Sequence, residues 1–263
     1  MSQVLFTVVA PAHNEQENVC ALVEEVERAC RGVLEVLAPQ HQIGAADASF
    51  EFIVVDDGST DDTRRALLDL ARERPWLRVI AMRDTPPGRG NGQSAAFHAG
   101  FRAAQGPWLA SLDADLQNDP ADFVAMAHLL VEHTADMVQG DRSANRRDNV
   151  VRRVGSVVGR LFRRLLLNDI IRDTGCSLRV MRREIALRLP LEFKGAHRFI
   201  PITARQLGYT VVEMPVNHRP RVAGETKYGM GVIQRALPGL IDCFAIRWMG
   251  KRRRPVTHEE VRP

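Results

Sequence analysis

Within ASLDADLQNDP, Ala110 to Pro120, an apolar run leads straight into Asp113-Ala114-Asp115, with Gln117 two positions further on. Two carboxylates at i and i+2 repel each other, and the repulsion has three remedies. A cation lies between them, one of them holds a proton, or both face water and carry no function. The first is chemically specific. Asp113, Asp115 and the amide oxygen of Gln117 are hard oxygen donors, and Mg2+ is held by just such a small set. Its remaining positions stay open for substrate phosphates and water.

Other residues of chemical interest also follow apolar runs. FIVVDDGSTDDT places Asp56 and Asp57 where either carboxylate could accept hydrogen bonds from a nucleobase N–H or from ribose hydroxyls. Ser59, Thr60 and Asp61 beside them are helix-capping types in any case. His13 and Glu15 follow the run that ends at Pro11. The glycines of GRGNGQSAA, Gly88 to Ala96, are not a dinucleotide fingerprint, which follows the first strand in the order G-x-G-x-x-G. No G-x-x-x-x-G-K-[ST] occurs, and DGSTDD is too short for a calcium loop, with no Gly at its sixth position and no terminal Glu. A haloacid-dehalogenase-type phosphatase also uses D-x-D after a strand. Its pair ends the first strand and is followed by Thr, whereas Gln117 stands there in this chain and three strands precede it.

The elements that would position these groups alternate. VLFTVVAP, SFEFIVVDD, LRVIAM, PWLASLD and ADMVQG read as strands, the first continuously apolar as burial on both faces requires. Between them, ENVCALVEEVERACRGVLEVL, TDDTRRALLDLARER, GQSAAFHAGFRAAQG and PADFVAMAHLLVEH have helical spacing. The Glu-rich start of the first helix, Asp and Thr caps on the second, Gly106 closing the third and Pro120 opening the fourth are the expected boundaries. Strand–helix alternation predicts a single Rossmann-like α/β domain, doubly wound, with a mainly parallel sheet and helices on both faces. Ligands of such sheets bind at the carboxyl ends of the strands, where the acids collect. Beyond Arg142 the pattern changes to a basic amphipathic helix (RRVGSVVGRLFRRLLL), a strand (GCSLRVM), a helix (HRFIPITARQLG), a strand (TVVEMPV) and a polar loop (NHRPRVAGETKYG). A C-terminal amphipathic helix follows, with Ile233, Leu237, Leu240, Ile241, Phe244 and Trp248 at helical spacing.

Composition narrows the partners. Hydrophobic residues make up 45% of the chain and charged residues 26%, which fits a globular core and excludes wholesale disorder. Four scattered cysteines without C-x-x-C argue against a disulfide frame or zinc site. No basic n-region opens the chain, and no apolar run approaches the ~18 residues of a membrane span. A cytoplasmic protein is expected. Arg142 to Arg183 holds twelve arginines against three aspartates, and RWMGKRRRP adds five cations. Arginine favoured this strongly suits fork-like binding of phosphate oxygens. The low aromatic content of 6% and the lack of any known binding motif set nucleic acid aside.

Six blocks in order, VVAPAHNEQENV, FIVVDDGSTDDT, GNGQSAAFHAG, SLDADLQNDP, DTGCSLRVMRRE and RVAGETKYG, resemble the family 2 glycosyltransferases of the GT-A fold. The similarity runs from Val4 to about Met249 and points to the polyprenyl-phosphate and dolichyl-phosphate sugar transferases. It implies a catalytic domain over 1–228, with a nucleotide-sugar half (1–141) and an acceptor half (142–228), then a juxtamembrane-like helix and basic tail (229–263). Pro11, His13, Glu15 and Asp56 or Asp57 would hold base and ribose, beside Asn91, Gly92 and Gln93. Asp113 and Asp115, with Ala114 between them against the nucleotide, and Gln117 would place Mg2+ or Mn2+ on a UDP- or GDP-linked diphosphate. Asp173 and Arg179 would shape the floor near the metal. Arg142, Arg153 and Ser156 would take the phosphate of a lipid acceptor. Arg219, Arg221, Thr226 and Lys227 would close over the diphosphate on a Gly224 hinge. The resemblance implies single displacement with inversion; the apolar stripe from Ile233 to Trp248 and the basic tail suggest a chain docked peripherally at the inner face of the cell membrane, or a stripe packed on the catalytic domain or a second subunit. A non-lipid acceptor is the alternative within the family.

Overall fold

Residues 5–10 of the first strand are all buried, as an apolar, β-branched run flanked by helices on both sides must be. The computed structural model describes residues 2–86, 88–143, 150–220 and 232–254, with the side chains of 150–158 and 232–237 outside that description. Seven strands form: β1 (Gln3–Ala12), β2 (Ala48–Asp56), β3 (Leu77–Ala81), β4 (Trp108–Ser111), β5 (Met137–Asp141), β6 (Arg179–Arg182) and β7 (Val211–Pro215). They make one sheet in the order β3-β2-β1-β4-β6-β5-β7. All neighbours are parallel except β6, which runs antiparallel to both β4 and β5.

The two faces of the sheet are sorted residue by residue. Val8 and Ala10 of β1 and Phe52 and Val54 of β2 join one core; Val9, Ile53 and Val55 join the other. Over the first face lie α1 (Val19–Leu37) and α4 (Asp122–Glu132), with Phe123 edge-on to Phe6 at 6.0 Å. Over the second lies α3 (Gln93–Ala103), with Phe97 stacked on Phe101 at 5.3 Å, together with the short α6 (Arg183–Arg188) and α7 (Ile200–Gln206). The remaining helix of this region, α2 (Thr63–Glu73), starts after Asp61, whose carboxylate accepts from the Thr63 N–H at 3.0 Å.

Two expected boundaries differ. The first turn of α1 holds no acidic residue, because Glu15 and Glu17 fall in the loop before it. Gly106 does not cap α3, which ends at Ala103 with Ala104 already extended. Its small size serves packing instead, since a Cβ there would come within 2.9 Å of Thr7 Oγ1 and 3.0 Å of the β1 backbone.

The chain divides into two compact units, one of residues 1–148 with 171–229, the other of 149–170 with 230–263. This division and a sequence boundary at 228 differ over α5 (Val150–Leu167), which clusters with α8 (Val232–Arg252). Within that second unit Phe162 meets Phe244 edge-on at 5.8 Å, Arg163 pairs with Asp169 at 2.9 Å, and Arg247 donates to the Leu166 carbonyl. Leu161, Leu165, Ile170, Ile241, Phe244 and Trp248 remain exposed. Among the described residues no helix is long and apolar enough to cross a membrane.

Helix α3 sits close on the sheet because Gly100 faces it: an added Cβ would lie 2.3 Å from Val9 Cγ1. Gly100→Ala should therefore lower stability by about 1–3 kcal/mol, the usual cost of overpacking, read as a shift of the urea midpoint. An unchanged midpoint would mean that α3 lifts off β1 without cost.

Candidate active site

The register of β1 and β2 sets their carboxyl ends level, Ala12 against Asp56. The next residues then cross-link the two loops. The Asn14 N–H donates to Ser59 Oγ at 3.0 Å, the Thr60 N–H to Asn14 Oδ1 at 2.7 Å, and the Glu15 N–H to Thr63 Oγ1 at 2.8 Å. Asn14 takes a left-handed conformation, φ 56°, to make this turn. Glu15 Oε2 accepts from Asn18 at 2.7 Å. His13 Nδ1 lies 2.8 Å from the Asp57 carbonyl, and since a carbonyl only accepts, Nδ1 carries the hydrogen. Pro11, His13 and Glu15 are half-buried along this edge.

Asp56 and Asp57 are both buried, and both carboxylates are engaged within the protein. Asp56 accepts from the Ser59 N–H at 3.0 Å and from Arg64 Nε at 2.5 Å. Asp57 accepts from the Asn91 and Gly92 N–H groups, each at 2.7 Å. The Asn91-Gly92-Gln93 turn is thus brought to the β2 end, and Gln93 Nε2 donates to Asp113 Oδ1.

Beyond β4, Asp113 is half-buried and Asp115 is buried. Burial, and then repulsion from Asp115, raise the Asp113 carboxyl above its ordinary range; a hydrogen bond with Ser177 and the charges of Arg142 and Arg179 oppose them. Ser177 is itself fixed, its carbonyl accepting from Ser111 at 2.7 Å and its hydroxyl from Asn118 at 2.8 Å. Leu116 adopts φ 59°, and the Gln117 N–H turns back to Asp115 Oδ1 at 3.2 Å. The Gln117 carbonyl accepts from the Arg219 N–H at 2.8 Å, while the Arg219 guanidinium bridges Glu25 and Asp119 at 2.7 Å each. Ala114 is buried between the two acids.

Behind this edge lies a charged interior. Arg142 forks onto Asp173, Nε to Oδ2 at 2.8 Å and Nη2 to Oδ1 at 3.2 Å, with both side chains mostly buried. Burial pulls the Arg142 pKa down, but the Asp173 hydrogen bonds and charge outweigh it and the net shift is upward. Arg179 stands in register with Ser111 of β4 and Gln139 of β5 and is only 2% exposed. It donates to the Cys176 and His197 carbonyls, its Nε has no partner, and burial lowers its pKa to about 10.

The sequence reading singled out neither Gln139, Ser177 nor the Ser94–His197 pair. Gln139 donates to the carbonyls of Gly140, Asp173 and Cys176, and a lone amide in a buried apolar strand was its only signal. Ser94 Oγ accepts from the His197 backbone N–H at 3.2 Å and shares a hydrogen bond with His197 Nδ1 at 2.7 Å, a contact between residues too distant in sequence to foresee. Arg153 and Ser156 fall on α5, where side chains are not described, and Arg221, Thr226 and Lys227 lie outside the described residues.

Among the described residues no group of three or more His, Cys, Asp or Glu is placed to hold a metal. Asp113 and Asp115 nonetheless fit a hard divalent cation. Their mutual repulsion is what such an ion removes, and two carboxylates leave positions for phosphate oxygens.

Residues 7–189 match the family model described as Glycosyl transferase family 2. The chain belongs to that family. It is 32% identical over 238 residues to an undecaprenyl-phosphate 4-deoxy-4-formamido-L-arabinose transferase of Yersinia pestis, covering 90% of this chain and 67% of the relative. Among solved structures it resembles glucosyl-3-phosphoglycerate synthase from Mycobacterium tuberculosis in complex with Mn2+, UDP and phosphoglyceric acid. The TM-score is 0.60 at 19% identity, over 92% of this chain and 78% of that one. It also resembles a mannosyltransferase from Pyrobaculum calidifontis in complex with GDP-Man and Mn2+, with a TM-score of 0.53 at 18% identity, over 80% of this chain and 54% of that one. The fold of this glycosyltransferase is therefore of the GT-A type.

His197 gives the site a pH signature. Burial first, then the nearby Arg198 and Arg179, depress its pKa from 6.5 to about 3. The unfolded chain takes up this proton below 6.5 while the folded chain resists, so the stability conferred by neutral His197 is complete above 6.5 and lost as pH falls toward 3. His197→Gln should flatten the decline of Tm across that window. Equal slopes for the two proteins would show that the folded state accommodates the charged ring.

Proposed function

We propose that this glycosyltransferase moves a sugar from a UDP- or GDP-linked donor to a polyprenyl phosphate, with Mg2+ or Mn2+ at Asp113 and Asp115. The observation that carries the reading is the pair of acids at the carboxyl edge of the sheet, Asp113 half-buried and Asp115 buried, with Arg142 and Arg179 behind them. The Yersinia pestis relative supports an undecaprenyl phosphate acceptor, and the Mn2+–nucleotide complexes of the structural neighbours support the donor and the cation.

In this reading Asp113, Asp115 and Gln117 hold the cation, which supplies neutralisation of the charge developing on the departing nucleoside diphosphate. Gln93 orients Asp113, and the β1 and β2 end loops, with Pro11, His13 and Glu15, receive base and ribose. Arg219 and Lys227 attend the diphosphate, Arg219 held by Glu25 and Asp119. Asp173 fixes the plane of the Arg142 guanidinium, which positions the acceptor phosphate. A phosphate oxygen attacks the anomeric carbon as the bond to the diphosphate breaks on the opposite face. The acceptor is already anionic at neutral pH, so orientation replaces a general base.

The second unit suits a membrane-borne acceptor at the inner face of the cell membrane. Ile241, Phe244 and Trp248 are exposed along α8, with Arg252 stacked over Trp248 at 5.8 Å and Lys251, Arg253 and Arg254 exposed beside it. Each cation near an anionic surface contributes about 1 kcal/mol.

Two measurements test the reading. Thermal shift against a panel of nucleotide sugars should show one donor stabilising the protein only with Mn2+ or Mg2+. Asp115→Asn should abolish both that shift and turnover while leaving the unliganded Tm in place; full turnover in saturating metal would remove the acids from the mechanism. Separately, the chain should co-sediment with anionic vesicles, less so at high salt. Salt-independent absence of binding by active enzyme would assign the α8 side chains to protein packing.

A further inference from the structure

Asp57 follows Asp56 at the end of β2, and each of its carboxylate oxygens accepts one backbone N–H, from Asn91 and from Gly92. The segment it grips is built for close approach. Gly88, Gly90 and Gly92 all have positive φ, at 66°, 63° and 93°. A Cβ on Gly90 would come within 2.4 Å of Asp57 Oδ2 and 2.5 Å of the Asp57 carbonyl, so only glycine fits against this acid. The next residue is Gln93, the first of α3, and its amide donates to Asp113 Oδ1. A continuous run of contacts therefore leads from the β2 end through the loop to one of the paired acids.

We infer that Asp57 is a positioning residue that pins the Gly90–Gly92 turn so that Gln93 holds Asp113 ready for the donor's cation and diphosphate. The inference rests on the proposed reading of Asp113 and Asp115. Preorganising a ligand carboxylate through its hydrogen-bond partner affects metal affinity in general, and loss of such a partner typically costs about 10–100-fold.

The test is Mn2+ affinity, measured by the electron paramagnetic resonance of free Mn2+ in the presence of UDP or GDP. Asp57→Asn presents an NH2 group to one of two N–H donors and should release the turn. Its Mn2+ dissociation constant should rise about 10-fold, and amide hydrogen exchange at Asn91 and Gly92 should accelerate. Gln93→Ala should weaken Mn2+ comparably, and the double variant should be no worse than either single one, because both act on one contact. Gly90→Ala pushes the turn off Asp57 from the other side and should reproduce the effect if Asp57→Asn does not fold. Wild-type affinity retained in Asp57→Asn, or losses that multiply in the double variant, would overturn the inference while leaving the metal site standing. A wild-type protein that binds no Mn2+ with either nucleotide would overturn the reading of the acids, and this inference with it.

Discussion

Two like charges withdrawn from water at the end of a buried strand govern this structure. A carboxylate in such a place is tolerated only where opposite charge and hydrogen bonds replace its hydration. Asp113 draws that compensation from three directions: Gln93 from α3, Ser177 from the turn before β6, and Arg142 and Arg179 from the β5 and β6 ends. The reversed β6 is what makes this possible. Running antiparallel between β4 and β5, it brings its first residue, Arg179, to the edge where β4 delivers its acids.

The same demand propagates outward. Arg142 is mostly buried and is stabilised by Asp173, whose carboxylate also accepts from the Gly175 N–H at 3.1 Å. Buried arginine pairs of this kind add little net stability but are costly to break, so they act as fixed geometry. Arg179 is less fully matched, with Nε lacking a partner, and its lowered pKa records the cost. On the other flank, the loops after β1 and β2 stitch themselves together through Asn14, Ser59 and Thr63. The edge proposed to receive the donor is thus cross-linked by hydrogen bonds on both sides.

Much of this was legible in the sequence because it is local. A continuous apolar run marked β1, shorter apolar stretches and strand–helix alternation marked the others, and the acids after β2 and β4 marked the edge. What could not be read was pairing between distant segments. Nothing in DTGCSLRVM says that its strand runs against its neighbours, and nothing near Arg219 names Glu25 as its partner. Asp57 shows the limit most clearly. Its type and position suit a nucleobase ligand, and nothing near it in sequence shows that its oxygens also accept from amides more than thirty residues away. Gly106 failed in the opposite sense: a glycine after a helix reads as a cap, but here it answers to the β1 backbone. Local chemistry identifies candidates, and long-range hydrogen bonds decide what each one holds.

The position of β6 also constrains how the chain can be made. In order of synthesis β4 and β5 emerge well before β6, yet neither touches the other without it. Until residue 182 has left the ribosome, β4 presents an open, apolar edge of the kind that recruits other strands, and its acids lack Arg179. Residues 1–141 read in sequence as a nucleotide-sugar half, but a fragment ending there would carry a split sheet. The pairing that completes the charged edge is therefore long-range, the kind of contact that slows folding, and it cannot form before β6 is made.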